Sequence, residues 1–182
     1  MLAAVVSTIA AGPNTPTATG AGLTWVQVAT VAYSGASTRR LTVFRAAGAS
    51  PSAGAVTFDF AGQTQGSFAW SIIQFAGADE GGTNGSAAVV QSTTNTAVTT
   101  TSITATLAAL ENSANMAVVF VGRDLNSAIT PDANFTEISD VLVNNGPLSL
   151  ESEVALGRTS ATATYTSSTA GSIAVEIKSA SL

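Results

Sequence analysis

Two glutamates, Glu151 and Glu153, stand two positions apart in LSLESEVAL (148–156). A carboxylate pair is what a glycoside hydrolase uses as acid and nucleophile or base. Strand alternation puts both on the face opposite Leu148, Leu150, Val154 and Leu156. That face is expected to be solvated, because nothing in the sequence signals the buried setting that retunes a carboxyl pKa. A second candidate is DEGGTNG (79–85), where Asp79, Glu80 and Asn84 sit in a glycine-rich loop. Hard cations take oxygen donors of this kind, but the spacing is not that of an established calcium loop. Asp124, Asp132 and Asp140 fall in or near other loops. A hydrolase would need a clustered pair among Asp79, Glu80, Asp124 and Asp132.

Histidine and cysteine are absent. The commonest general base, the commonest transition-metal ligand and all thiolate chemistry go with them. A nucleophilic Ser or Thr would then depend on Lys178, an arginine or a carboxylate. No catalytic, cofactor-binding or metal-binding residue is assigned, no cofactor is expected, and the chain is not read as an enzyme.

Trp25, Tyr33 and Trp70 are the stacking platforms that a carbohydrate-binding protein would use. Trp70 shares a strand face with Phe68 and Ile72, and Trp25 with Leu23 and Val31, so the alternation predicts both as core. Arg39 and Arg40, being adjacent, project to opposite sides of a strand. They are expected to make a salt bridge or a partner contact at a sheet rim. Glycosylation triplets occur at Asn84 (NGS) and Asn134 (NFT), unsurprising in a chain rich in Asn, Ser and Thr.

Only 9% of the 182 residues are charged, against about 25% in an ordinary soluble domain. Hydrophobic residues make up 46%. A surface so poor in charge suits a protein covered by sister subunits or by a larger assembly. Net charge is −5 with no basic stripe, which argues against nucleic-acid binding. No apolar run reaches the roughly 20 residues of a membrane span. MLAAVVSTIAAG at the start imitates a secretory signal but lacks a basic n-region; it is read as a core strand.

These residues are positioned by strands. VTFDF, SITATL and SIAVEIK alternate with period two, the mark of half-buried strands. SIAVEIK places Ile173, Val175 and Ile177 inward and Ser172, Ala174, Glu176 and Lys178 outward. MAVVFV (116–121) is apolar throughout, as in a central strand covered on both sides or a short strand at an interface. NNGP (144–147) predicts a hairpin; AGASPSAG (47–54), AGQTQG (61–66) and GADEGGTNG (77–85) mark further reversals. LAALENSA (107–114) is read as one helical turn. Strands are predicted at 2–9, 22–33, 40–46, 55–60, 67–76, 86–92, 101–107, 115–122, 135–143, 148–156, 160–166 and 171–178.

The chain also matches itself. VTFDFAGQTQGSFAWSII (56–73) overlies ATATYTSSTAGSIAVEIK (161–178) without a gap, LTVF (41–44) overlies LSLE (148–151), GLTWVQV (22–28) overlies NFTEISD (134–140), and AAVV (3–6) overlies MAVV (116–119). Four blocks in fixed order point to an internal duplication. The expected fold is all-β: one domain (1–182), a two-sheet antiparallel, jelly-roll-like sandwich of units 1–78 and 114–182 joined by 79–113, the alternative being that each unit forms its own small sheet and the two stack about a pseudo-twofold axis.

The layout GLTWVQVA…RRLTVFRAAG…VTFDFAG…GSFAWSIIQFAGAD, followed by NFTEI…LSLESEVALG…ATATYTSSTAGSIAVEIKSA, resembles β-sandwich proteins of tailed bacteriophage virions. The resemblance implies a head decoration (cement) protein on the capsid surface that contacts the major capsid protein, forms a homotrimer or other homo-oligomer, and binds neither nucleic acid nor membrane. The alternative it leaves open is a tail, fibre or surface adhesin that binds host glycans. It carries no catalytic residues.

Overall fold

The computed structural model describes residues 1–34, 36–48 and 51–180. The chain is all-β and every strand pairing is antiparallel. In order, the strands are β1 (Leu2–Ile9), β2 (Thr17–Gly20), β3 (Val26–Tyr33), β4 (Arg39–Ala46), β5 (Val56–Asp59), β6 (Ser67–Gln74), β7 (Val89–Thr106), β8 (Met116–Arg123), β9 (Thr136–Val143), β10 (Leu148–Leu156) and β11 (Ser160–Ile177). A 3₁₀ segment, Thr83–Ala88, precedes β7. No helix among the described residues is long and apolar enough to cross a membrane.

Four strands form one sheet in the order β3-β4-β1-β6, and five form another, β7-β11-β8-β10-β9. Their inner faces meet in a sandwich-like core. Val5, Leu41, Val43, Ala69 and Ile73 come from the first sheet, and Val118, Phe120, Leu150, Ile173 and Val175 from the second. The apolar start of the chain is β1, paired on both sides, by β4 and β6. NNGP is the β9–β10 reversal, closed by the Gly146 N–H donating to Val143 O at 3.3 Å.

Each sheet also carries a second cover on its outer face. The two-stranded ribbon β2–β5 lies over the smaller sheet, where Ala18, Val56, Phe58 and Phe60 pack with Val6, Trp25, Phe44 and Ala46. Over the larger sheet, Ile103, Ala105, Ala161, Ala163 and Tyr165 pack on Ala117, Val119, Val121 and Ala174. Those covering residues belong to β7 and β11 themselves. What the sequence divides into strands 86–92 and 101–107 is one 18-residue strand, and 160–166 with 171–178 is another. Both double over. Asn95 Nδ2 donates to Thr104 O at 2.7 Å, though nine extended residues would separate the two by about 30 Å. The reversal sits at Thr99, whose φ is 52°, and at β11 register shifts between Thr164 and Ala170.

Other expectations are corrected. LAALENSA is not helical; it runs as an irregular link ending in a turn. The strand β2 carried no clear period and escaped the sequence reading. Part of AGASPSAG lies outside the described residues. Under the sequence matches, β3, β4, β1 and β6 correspond to β9, β10, β8 and β11, and the two sheet orders agree. The gap-free overlay does not hold in register, however. Val5 stands opposite Ser71 and Val118 opposite Val175, so Ser71 corresponds to Val175, not Glu176. One residue of slip exchanges the faces of a strand.

The inner faces leave a window for one large ring. Tyr33 is 2% exposed and its hydroxyl lies 2.8 Å from Ser7 Oγ. It rests on Gly122 and Gly171, paired neighbours on β8 and β11. A Cβ on Gly171 would fall 2.7 Å from the Tyr33 ring, and one on Gly122 2.7 Å from its hydroxyl. Gly171→Ala is therefore expected to cost about 1–3 kcal/mol of stability by overpacking, measured by urea denaturation; an unchanged midpoint would contradict this packing.

Candidate functional site

The doubled-over ribbon turns the outer face of the larger sheet into a second interior. Register places Arg123 and Val121 (β8), Ser149, Glu151 and Glu153 (β10), Ser172 and Glu176 (β11) and Asp140 (β9) on that face. Glu151 and Glu153 are fully buried. This corrects the expected solvated face: the strand alternates as predicted, but both of its sides are covered. One signal was present: the all-apolar MAVVFV run fits a strand covered on both sides, and β10 is its neighbour.

The buried carboxylates differ in their donors. Glu176 accepts from Asn115 Nδ2 at 2.6 Å, Gln91 Nε2 at 2.7 Å and the Glu111 N–H at 2.8 Å. Burial alone would raise its pKa, but these donors hold it below the ordinary value. Glu176 had been assigned to an exposed face; it is instead a fully buried, fully coordinated anion. Glu153 has one donor, the Asp132 N–H at 2.7 Å, and burial pushes it to about 7. Glu151 has none on either oxygen among the described residues. Burial, then the neighbouring charges of Glu153, Glu137 and Asp140, push it to about 9. Asp140, directly across from Glu151, is raised by burial and by Glu137. At neutral pH Glu151 is thus a carboxylic acid.

Arg123, which the sequence reading did not single out, is fully buried on the same face. Its guanidinium donates to Ser127 O, Ala128 O, Thr166 O and Ser168 Oγ at 3.1–3.4 Å and lies 5.0 Å from the Tyr165 ring centroid. Burial lowers its pKa, yet a guanidinium stays protonated. It binds the bend of β11 to the 124–130 segment. Its signal was positional: it continues the face of Val119 and Val121.

The remaining candidates do not converge. Asp132 Oδ1 and Oδ2 accept from the Asn134 and Thr162 N–H groups, which depress its pKa. Asp124 Oδ1 accepts from the Thr169 N–H. Asp79 Oδ1 accepts from the Gly81 N–H, and Glu80 Oε1 from Met1 N. Asp79 braces its own loop, whereas Glu80, Asp124 and Asp132 tie their loops to the N-terminus and to β11. Among the described residues no three carboxylates are grouped to hold a metal ion. Arg40 donates to Pro13 O at 2.6 Å, anchoring a loop, and among the described residues neither Arg39 nor Arg40 makes a salt bridge.

The aromatic residues divide. Trp25 is buried as expected, with Nε1 donating to Gly20 O at 3.0 Å. Tyr33 is enclosed between the sheets, so neither can stack on a ligand. Trp70 reverses its expectation: it is 51% exposed, beside Phe68 at 49%. The SFAWSII alternation identifies two faces but not which one is covered, and the inner face here is the smaller-residue one, Ala69, Ser71 and Ile73. Phe68 and Trp70 form one wall of a groove of about 510 Å³ whose other residues are Val56, Thr57, Phe58, Phe60, Gln63 and Gln65.

Compared with family models, curated proteins and solved structures, the chain matches none. Functional argument therefore rests on these two places, the buried acid layer and the aromatic groove.

The buried acids fix a pH dependence. Glu151 and Glu153 titrate above the ordinary value of 4.5, so the folded state binds more protons than the unfolded one. Their contribution is full below about pH 4.5 and is lost as pH rises through about 7 and then 9. Stability is expected to fall by about 1 kcal/mol or more per pH unit across that range. Glu151→Gln should flatten the slope in denaturant titrations; a slope unchanged by Glu151→Gln would contradict the assignment. Arg123→Met, which strips a cation from three carbonyls, is expected to lower stability by about 2–5 kcal/mol, read from the same titrations.

Proposed function

We propose that the chain is a structural virion protein, a head decoration protein that stabilises a phage capsid by attaching to the major capsid protein as a homotrimer or other homo-oligomer. One observation carries this reading. Large apolar side chains are exposed on strands around the molecule, with Leu156 at 67%, Val98 at 60% and Leu142 at 45%, in a chain with few charges. Apolar groups held on rigid strands suit contacts with several neighbours. Attachment in many copies would favour the assembled shell by mass action and multivalency.

A second reading, a tail, fibre or surface adhesin, is favoured by the exposed Phe68–Trp70 pair, which supplies the stacking surface that Trp25 and Tyr33 do not. The discriminating measurement is the amount of the protein on purified particles relative to major capsid protein. Decoration predicts a copy number that scales with the capsid lattice, and particles stripped of the protein that lose heat resistance and regain it on re-addition. Stripped particles as heat-resistant as intact ones would overturn it.

A further inference from the structure

We propose that β6 pairs edge to edge with β6 of a second copy of the chain, antiparallel across a two-fold axis, and that this contact buries Phe68 and Trp70. The inference adds to the homo-oligomer of the reading above the surface through which copies meet, and it stands whether or not that oligomer sits on a capsid. Natural sheets blunt their edge strands with bulges, charges or proline. Of the edges here, β3 carries a bulge at Val28, and β9 a bulge at Ile138 together with Glu137 and Asp140. The third, β7, is bent at Thr99 and shifts register against β11. By contrast β6 keeps an unbroken register with β1 and contains neither charge nor proline. Met1 and Phe75 exchange both backbone hydrogen bonds, at 3.1 and 2.9 Å. Alternation along the ladder therefore turns the N–H and C=O groups of Phe68, Trp70, Ile72 and Gln74 away from β1, toward the open edge.

The other half of the molecule shows what belongs beside this edge. β11, the counterpart of β6, is flanked by β8 and by β7, whereas β6 is flanked by β1 alone. The covers repeat the pattern. Residues 160–164 of β11 lie between Thr130 and β7, whereas their counterpart β5 pairs with β2 alone and opens on the groove. In both places the neighbour is a strand, β7, with no charged residue over 89–106. A second β6 is such a strand, and the described residues lining the groove it would enter include no ionisable side chain. Uncharged edge thus meets uncharged edge, and the same surface serves both copies, as a two-fold contact requires. The axis runs normal to the sheet, so the two outer faces lie side by side and Phe68 and Trp70 of one copy meet the same pair of the other. The edge of the second sheet lies alongside, with Ser139 Oγ on β9 donating to Ser71 Oγ at 3.3 Å. Its exposed Ile138 and Leu142 extend the apolar surface on that side of the sandwich. A main-chain ladder with apolar side chains on its flank is the usual form of strand addition.

The test is sedimentation of the full chain over a dilution series, with tryptophan emission followed in parallel. Trp25 is buried within its own copy, so an emission change on dilution reports Trp70. The expected result is a dimer that dissociates on dilution while the emission moves to the red. Trp70→Lys, a charge at a half-exposed position, is expected to weaken association about tenfold or more while leaving the circular dichroism spectrum native. Ile72→Pro removes one edge N–H, leaves both rings in place and is expected to weaken it likewise. Val98→Lys, at an exposed position of β7, is expected to leave the dimer intact. A chain that stays monomeric at about 100 μM, a trimer, or an oligomer that Trp70→Lys leaves intact overturns the proposal. A monomer whose Trp70 emission answers only to a neutral glycan or to capsid protein overturns it too. The decoration reading is judged apart, by the heat resistance of stripped particles, and its failure leaves the dimer standing.

Discussion

Everything distinctive in this fold follows from the length of two strands. An extended 18-residue strand measures about 60 Å, while a compact chain of 182 residues spans only about 40 Å. β7 and β11 must therefore fold back, and the apolar surface they cover is the outer face of their own sheet. That return makes β8 a strand with cores on both sides. Together with the 111–115 link and the Asp132 loop, it also closes off positions that in a two-layer sandwich would meet water, including Arg123, Glu153 and Glu176.

Burial then treats these charged residues according to their donors. Glu176 has side-chain and backbone donors and remains an anion. Arg123 has carbonyls and an aromatic ring and remains a cation. Glu151 has neither donor nor cation and takes a proton instead, the less costly course for a carboxyl group that cannot be solvated. Each group in the layer is thus settled by its own hydrogen-bond partners or its own proton rather than by ion pairing. Glu151 and Arg123 occupy one face yet form no salt bridge, since the guanidinium is engaged by the carbonyls at the β11 bend.

The strands were legible in the sequence because period two is a local signal. β10 and the β9–β10 hairpin could be placed from alternation and turn residues, and β1 from its match to MAVV (116–119). What escaped were decisions made by distant residues. Alternation put Glu151 and Glu153 opposite Leu148 and Leu150 but could not report that the Asp132 loop, tied to β11 through Thr162, would close on Glu153. It grouped Trp70 with Phe68 and Ile72 but could not choose which side of β6 would face the other sheet. The overlay of 56–73 on 161–178 captured the order of strands and missed their register, because AGQTQG interrupts the first segment while the second bends without a break. The aromatic groove is the product of that interruption: β5 ends at Asp59, the loop carries Gln63 and Gln65, and β6 starts beyond the cover.

The continuity of β11 also has a mechanical meaning. One strand supplies residues 160–168 to the outer cover and 170–177 to the central sheet, hydrogen-bonded to β7 along most of its length. The cover has no hinge loop through which to swing free, so it cannot lift without dragging at the ladder beside β8. A force applied along β11 meets that ladder in shear, with its hydrogen bonds sharing the stress rather than opening one at a time.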